Sequence, residues 1–374
     1  MNASTLDDRL DRAFVVNPHL SVIHCSDDEI LIKHGSRSLF SETIADDRRT
    51  KLLGRVLANM RTPATLRRLR EAGVLDENAL PAATELVEHL EGKGILVDPE
   101  AELTRLYLDS ILGRGSAVSA ELSRYTVGFV GAGPLGARIA SDILALRPGG
   151  MTVVDSRSID NAEAARIYLG LAPAKVASGD LLQAALVTQL KATGGADGVR
   201  LEGRDSLAGD ALDTLFSDVD FVIAAWECYA PTLFHSLNEA AIRHGVPWLL
   251  TYCDGSEAIV GPSYVPGETA CYYEFETQVE ASTAFREDYL LYKEHLADAG
   301  IDGTYFVLPP YLQIAAGFSA LSASQFLARG QAMTVGRSIR IDFERLSVDY
   351  QDVLRLPRCP ACGTDRAPYR QLFL

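Results

Sequence analysis

T-V-G-F-V-G-A-G-P-L-G-A-R-I-A, residues 126–140, decides the fold. An apolar run ends in a glycine-spaced turn, and the turn opens onto residues with helical periodicity. Within G-A-G-P-L-G, Gly131 permits the tight turn, Gly133 lets a phosphate come close to the backbone, and Gly136 lets the helix pack on the strand. The start of that helix offers free amides and the positive end of a dipole, which suits an anion. Asp155 closes the next apolar run, 19 residues after Gly136, where a carboxylate can accept from a ribose hydroxyl. Two nucleotide chemistries share such a loop: hydride transfer with a nicotinamide, and adenylyl transfer from ATP.

Strands and helices alternate on the C-terminal side of the loop. Strands are expected at Val127–Val130, Met151–Asp155, Val219–Ala225, Trp248–Tyr252 and Ile259–Val265. Helices are expected at Leu135–Leu146, Thr232–His244 and Glu280–Ala297, and two further strands within Ile339–Leu356. This is the pattern of an α/β domain with a mostly parallel, helix-covered sheet. On the N-terminal side the order differs. Three short strands are expected at Leu20–His24, Glu29–Lys33 and Ser38–Ser41, separated by Asp27-Asp28 and Gly35-Ser36. Leu52, Leu53, Val56, Leu57 and Met60 share one helix face; Pro63 and Pro81 open two more helices, stopped at Gly73 and Gly94, before a strand at Ile95–Val97. Strand, strand, strand, helix, helix, helix, strand is the outline of a winged helix-turn-helix. The expected organisation is a flexible lead-in (1–18), a winged-helix domain (19–98), a helical linker (99–124) and the α/β domain (125–374).

Composition narrows the function. Of 374 residues, 47% are hydrophobic and 23% charged, as in ordinary globular proteins. The longest apolar stretch, Ile314–Leu327, is interrupted by Ser319, Ser322, Ser324 and Gln325, so no membrane span is expected. The polar, acidic start M-N-A-S-T-L-D-D-R-L-D-R does not read as a signal peptide, which points to the cytoplasm. A net charge of −15 repels a nucleic-acid backbone and argues against DNA as the winged-helix ligand. Arg48, Arg49, Lys51, Arg55, Arg61, Arg67, Arg68 and Arg70 form a local basic cluster, read either as solvated helix faces or as attraction for an acidic peptide. The seven histidines show no ligand-like spacing. Cys228 and Cys253 fall in or beside core strands and read as small buried hydrophobes.

A series of segments then resembles the ubiquitin-activating-enzyme (ThiF-like) superfamily, over about residues 115–365. V-D-S-R-S-I-D-N-A-E-A-A-R (Val154–Arg166), Leu169-Gly170 with Lys175, D-F-V-I-A-A-W-E-C (Asp220–Cys228) and A-A-I-R-H-G-V-P-W (Ala240–Trp248) follow its motifs in order. The resemblance implies a Rossmann-like fold with ATP and Mg²⁺ at Gly131, Gly133, Gly136, Asp155 and Lys175, and Glu227 at the metal-holding position. It also has departures. Glu227 replaces an Asp, Cys228 replaces the following Asn, Arg157 replaces a second Asp, and no arginine lies between Tyr229 and His235. A retained fold with compromised adenylation machinery is the expectation.

The winged-helix outline ahead of such a domain, with N-P-H-L-S-V (17–22), I-L-I-K-H-G (30–35) and L-P-R-C-P-A-C-G (356–363), resembles the leader-peptide-binding partner proteins of azole- and azoline-forming peptide biosynthesis. That resemblance implies leader binding by the small domain, a separate YcaO-type cyclodehydratase as partner, a homodimer, and no catalysis by this chain. The alternative is an ATP-dependent adenylating enzyme acting on a peptide, with Glu227 on Mg²⁺. The leader would add a strand to an open edge, with Ser38, Leu39, Phe40 and Ser41 on the third strand and Leu86 and Leu90 on the third helix as contacts. Cys359 and Cys362 form half of a zinc site. The superfamily's other C-x-x-C reads here C-Y-Y-E, which makes Cys271 the expected third ligand and Glu274 the fourth, beside the reading that the cysteines hold no metal.

Overall fold

A computed structural model describes residues 9–38, 41–112, 122–160, 177–193, 196–299 and 307–363. The chain divides into two compact units, Met1–Ser119 and Ala120–Leu374.

In the first unit, β1 (Ala13–Val16), β2 (Ser21–Ser26), β3 (Glu29–Lys33) and β4 (Ser41–Ala45) precede α1 (Leu52–Asn59), β5 (Ala64–Thr65), α2 (Leu66–Glu71), α3 (Leu80–Gly92), β6 (Leu96–Val97) and α4 (Leu103–Tyr107). The expected order is present, with three differences. The supposed lead-in contains β1, which pairs antiparallel with both β5 and β6 and buries Phe14. Pro63 does not open a helix. It precedes the two-residue β5, and Thr65 caps α2 by accepting from the Arg68 N–H at 3.1 Å. The third strand of the β2–β3–β4 sheet is Ser41–Ala45 and not Ser38–Ser41. Residues 36–38 belong to no strand, and Ile44 is drawn into register opposite Ile30 in the core. One apolar cluster unites Phe14, Ile30, Ile32, Leu53, Val56, Met60, Leu69, Val87 and Leu90.

The second unit is built on an eight-stranded sheet. Its strands are β7 (Thr126–Val130), β8 (Gly150–Val154), β9 (Arg200–Arg204), β10 (Phe221–Trp226), β11 (Trp248–Asp254), β12 (Glu257–Tyr264), β13 (Arg337–Asp342) and β14 (Ser347–Asp352), in the order β14-β13-β12-β11-β10-β7-β8-β9. The five from β9 to β11 are parallel, and β12 to β14 continue antiparallel. β7, β8 and β10 are buried on both faces almost throughout, which is why they read as continuous apolar runs. Helices α5 (Pro134–Leu144), α6 (Leu182–Ala192), α7 (Ala211–Asp218) and α8 (Pro231–His244) accompany the parallel part. The helix expected at Glu280–Ala297 is two, α9 (Tyr272–Ser282) and α10 (Arg286–Ala299), because Thr283 turns extended between them. The long α11 (Pro309–Arg329) packs against α5, β11 and β12. Among the described residues no helix is long and apolar enough to cross a membrane.

Strand order reverses between β7 and β10. In open α/β sheets that point is where a crevice forms at the carboxyl ends of the strands. Gly131 follows β7 and Glu227 follows β10, so the two motifs meet there.

Candidate functional site

The turn after β7 is built for close approach. Gly131 has φ +104°, and a Cβ there would lie 2.0 Å from the Ala225 carbonyl oxygen. A Cβ on Gly136 would lie 2.0 Å from the Gly131 carbonyl oxygen. The group that approaches Gly133 is the chain's own Glu227: a Cβ on Gly133 would sit 2.4 Å from its Oε2. Leu135, in the first turn of α5, donates its N–H to Glu227 Oε1 at 2.9 Å. Glu227 itself is 3% exposed, so its charge needs partners.

Arg157 supplies one. Its Nη1 donates to Glu227 Oε2 at 3.1 Å, its Nε and Nη2 donate to Asp155 at 3.0 and 2.8 Å, and its guanidinium lies 3.8 Å from the centre of the Trp226 ring. Burial opposes the charge on Arg157, yet the Glu227 and Asp155 carboxylates outweigh it and hold the pKa above the ordinary arginine value. Asp155 is fully buried and accepts from the Ala132 N–H at 2.7 Å, so it faces Arg157 where a ribose hydroxyl was the expected donor. Lys175 lies outside the described residues. Cys228 and Cys253 are buried, and burial pushes both thiols up to about 12, which leaves neither a nucleophile at neutral pH.

The cysteines of the tail converge with α9. Cys271, Glu274, Cys359 and Cys362 are all buried, and one donor atom from each lies within 4.8 Å of the others. Cys271 and Cys359 sulfurs are 3.6 Å apart, and Cys362 Sγ is 3.4 Å from Glu274 Oε2. Tetrahedral zinc with ordinary bond lengths would place two sulfurs about 3.7 Å apart and a sulfur and oxygen about 3.5 Å apart. The donor set therefore fits that ion in chemistry and spacing. Burial pushes the Cys271 thiol well up, so thiolates here need a cation's compensation. Glu274 also closes a capping box at the start of α9, accepting from the Cys271 N–H at 2.7 Å, and it accepts from the Leu356 N–H at 2.5 Å. Those bonds orient the carboxylate in the manner of an outer-shell support.

In the first unit, β4 is an edge of its sheet, and among the described residues no strand pairs with its outer side. Ala82, Leu86, His89 and Lys93 share one side of α3 by helical spacing, and Lys93 forms an ion pair with Glu42 of β4. That pair places this helix side toward β4. Leu86 is half-buried there, whereas Leu90 points into the core at 0% exposure and cannot serve as a groove contact. Ser38 and Ser41 precede and begin β4; Leu39 and Phe40 lie outside the described residues. Thr43, Glu42 and Lys93 were not singled out from the sequence. S-E-T-I-A carries no apolar alternation to mark Glu42 and Thr43, and Lys93 lies at the far end of α3.

A further cluster escaped sequence reasoning. Glu276 on α9 is 5% exposed and accepts from Tyr229 Oη at 2.6 Å and from His235 Nε2 at 2.5 Å, with Lys293 Nζ at 3.1 Å. Burial opposes its charge, but the His235 and Tyr229 bonds and the nearby cations prevail and lower its pKa from 4.5 to about 2. A depressed carboxylate pKa contributes stability that is complete above the unfolded value and is lost as pH falls through the folded value. Glu276 should therefore contribute on the order of 2–3 kcal/mol at neutral pH, fading between roughly pH 4.5 and 2. Thermal unfolding followed across that range should show a flatter acid limb for Glu276→Gln than for the wild type. Parallel acid limbs would show that the contacts carry no such energy.

The described residues thus form a mixed α/β protein with a glycine turn at the reversal of strand order, a buried thiol–carboxylate cluster and an open strand edge. Its fold matches E. coli MccB in complex with selenomethionyl MccA (TM-score 0.60, 16% identity, 94% of this chain and 100% of that chain). It matches equally the microcin C7 biosynthetic enzyme MccB bound to N-formylated MccA (TM-score 0.61, 16% identity, 94% and 100%). The heterocyclase TruD is also similar (TM-score 0.57, 17% identity), with 94% of this chain covering 43% of that one. MccB has been crystallised with ATP. At these identities the likeness establishes a shared fold. No protein-family model and no curated protein matches the sequence.

Proposed function

We propose that this protein recognises the leader region of a ribosomally made precursor peptide and presents it to a separate YcaO-type cyclodehydratase. The observation that carries the reading is the unpaired outer edge of β4 beside the Leu86 side of α3, in a small unit with its own core. An extended peptide can complete such a sheet through main-chain hydrogen bonds and seat alternate side chains against the helix. The winged-helix reading of residues 19–98 belongs to the same proposal, with the groove moved to Ser41–Ala45. The structures of MccB in complex with MccA support it by analogy of fold.

Zinc is the proposed occupant of Cys271, Glu274, Cys359 and Cys362, where it would tie the tail to α9 as a structural ion. A homodimer is part of the proposal as well. From Pro309 to Ala328 α11 carries no charged residue, yet Ile314 and Leu321 are exposed, as is Leu308 just before it. Two copies of a chain carrying −15 approach most cheaply through a neutral face. The alternative, ATP-dependent adenylation with Glu227 on Mg²⁺, is favoured by the retained glycine turn at the switch point.

Isothermal titration with a precursor peptide encoded near this protein's gene tests the reading. Met1–Ser119 alone should bind the leader within about threefold of the full chain, a difference under about 0.7 kcal/mol. Affinity present only in the full chain would remove the small unit as the recognition element. Pyrophosphate release by this protein alone, given ATP and peptide, would establish the adenylating alternative.

A further inference from the structure

We propose that Glu227 is a resident anion that occupies the phosphate position of the crevice and that, with Arg157, keeps nucleotides out. The inference deepens the non-catalytic part of the function above and is independent of where a peptide binds. A glycine at position 133 in this turn makes room for an atom close to the backbone, and the atoms in that room are Glu227 Oε1 and Oε2. The amides at the start of an eleven-residue helix attract negative charge, and the Leu135 N–H is already spent on Glu227. Arg157 lies over Trp226 and joins Glu227 to Asp155, so the group that could have taken a ribose hydroxyl is also spent.

Charge explains why the occupant excludes its competitors. Asp155, Glu227, Arg157 and Arg138 together carry no net charge, so nothing draws a triphosphate or pyrophosphate into space that Glu227 already fills. Taking away Glu227 leaves Asp155 and Arg157 neutral as a pair. The α5 amides remain, and Arg138, close enough to feel the charge of Glu227, turns the balance positive. Nothing else on the turn has to move. The crevice is thus a latent oxyanion site held shut by one side chain, and Arg157 is the cation that would receive the incoming phosphate oxygens.

Calorimetric titration of the full chain with pyrophosphate, and separately with Mg²⁺–ATP, tests this. The wild type should show no saturable binding up to millimolar ligand. Glu227→Ala should bind pyrophosphate at least tenfold more tightly, and adding Arg157→Ala should abolish the gain. Because Glu227→Ala leaves a buried arginine short of a partner, Glu227→Ser, which empties the space beside Gly133 and keeps a small polar group, serves as the second variant. Its unfolding temperature should rise with added pyrophosphate while that of the wild type stays constant. A wild type that binds Mg²⁺–ATP as tightly as Glu227→Ala would overturn the proposal and make Glu227 a metal holder. A folded Glu227→Ala or Glu227→Ser that gains no anion response would overturn it too. Leader binding by the first unit is measured separately, so its failure would leave this result intact.

Discussion

Leu86→Asp should lower the affinity of the full chain for the precursor leader by about thirtyfold or more, with the fold unchanged. Leu86 is half-buried on the side of α3 that faces β4, where Lys93 meets Glu42 one helical repeat further on. An apolar leader side chain seated against Leu86 would lose a hydrophobic contact and meet a charge. Together these cost about 2 kcal/mol, which is about thirtyfold in affinity. Some stability is lost as well, because Leu86 packs on the small unit's core, but the half-exposed position leaves the new carboxylate within reach of water. Leu90→Ala provides the contrast. Leu90 is fully enclosed by the small unit's core, so its truncation should cost about 2–5 kcal/mol of stability. Fluorescence anisotropy with a labelled leader, read beside thermal unfolding, separates the two. Unaltered binding by Leu86→Asp would exclude the β4–α3 groove.

Removing one thiolate should have the largest effect on the second unit. Purified wild-type protein should carry about one equivalent of zinc, and Cys271→Ser or Cys359→Ser less than about a tenth, since a closed structural site retains its ion only with a full ligand set. The loss would free the tail from α9, expose the caps that Glu274 now completes, and cost several kcal/mol. For a domain of this size that corresponds to an unfolding temperature lower by roughly 10 °C. Glu274→Cys should keep the metal, because a fourth thiolate is an ordinary zinc ligand. Elemental analysis settles the first point: less than about a tenth of an equivalent in the wild type would leave four buried side chains without an ion.

The two predictions rest on different kinds of information. The glycine turn, the apolar strands β7, β8 and β10 and the stops after α2 and α3 at Gly73 and Gly94 were legible in the sequence because their causes are local. Gly131 and Gly136 are needed by backbone atoms a few residues away or in the adjoining strand, and a strand buried on both faces must be apolar throughout. The grouping of Cys271 and Glu274 with Cys359 and Cys362 was also legible, but only through the order of motifs in a superfamily; nothing in their spacing of 88 residues implies contact. The registers of β1 and β4 were not legible. A four- or five-residue strand with one or two core contacts has little pattern of its own, and pairing with β5, β6 and β3 selects its bounds.

Arg157 shows where local reading stops. In the sequence it is a charged residue two positions after an aspartate, and its role there is only the loss of a second acid. Folding brings it onto Trp226 and Glu227, about 70 residues away in the chain, at the end of β10, which β7 separates from β8. A carboxylate, a guanidinium and a ring that are unremarkable when solvated become a closed ion network once the β7–β10 reversal removes water from around them. Whether such a crevice takes a nucleotide or its own side chain is decided by which charges the tertiary structure encloses together, because the low-dielectric interior makes each enclosed charge choose a partner.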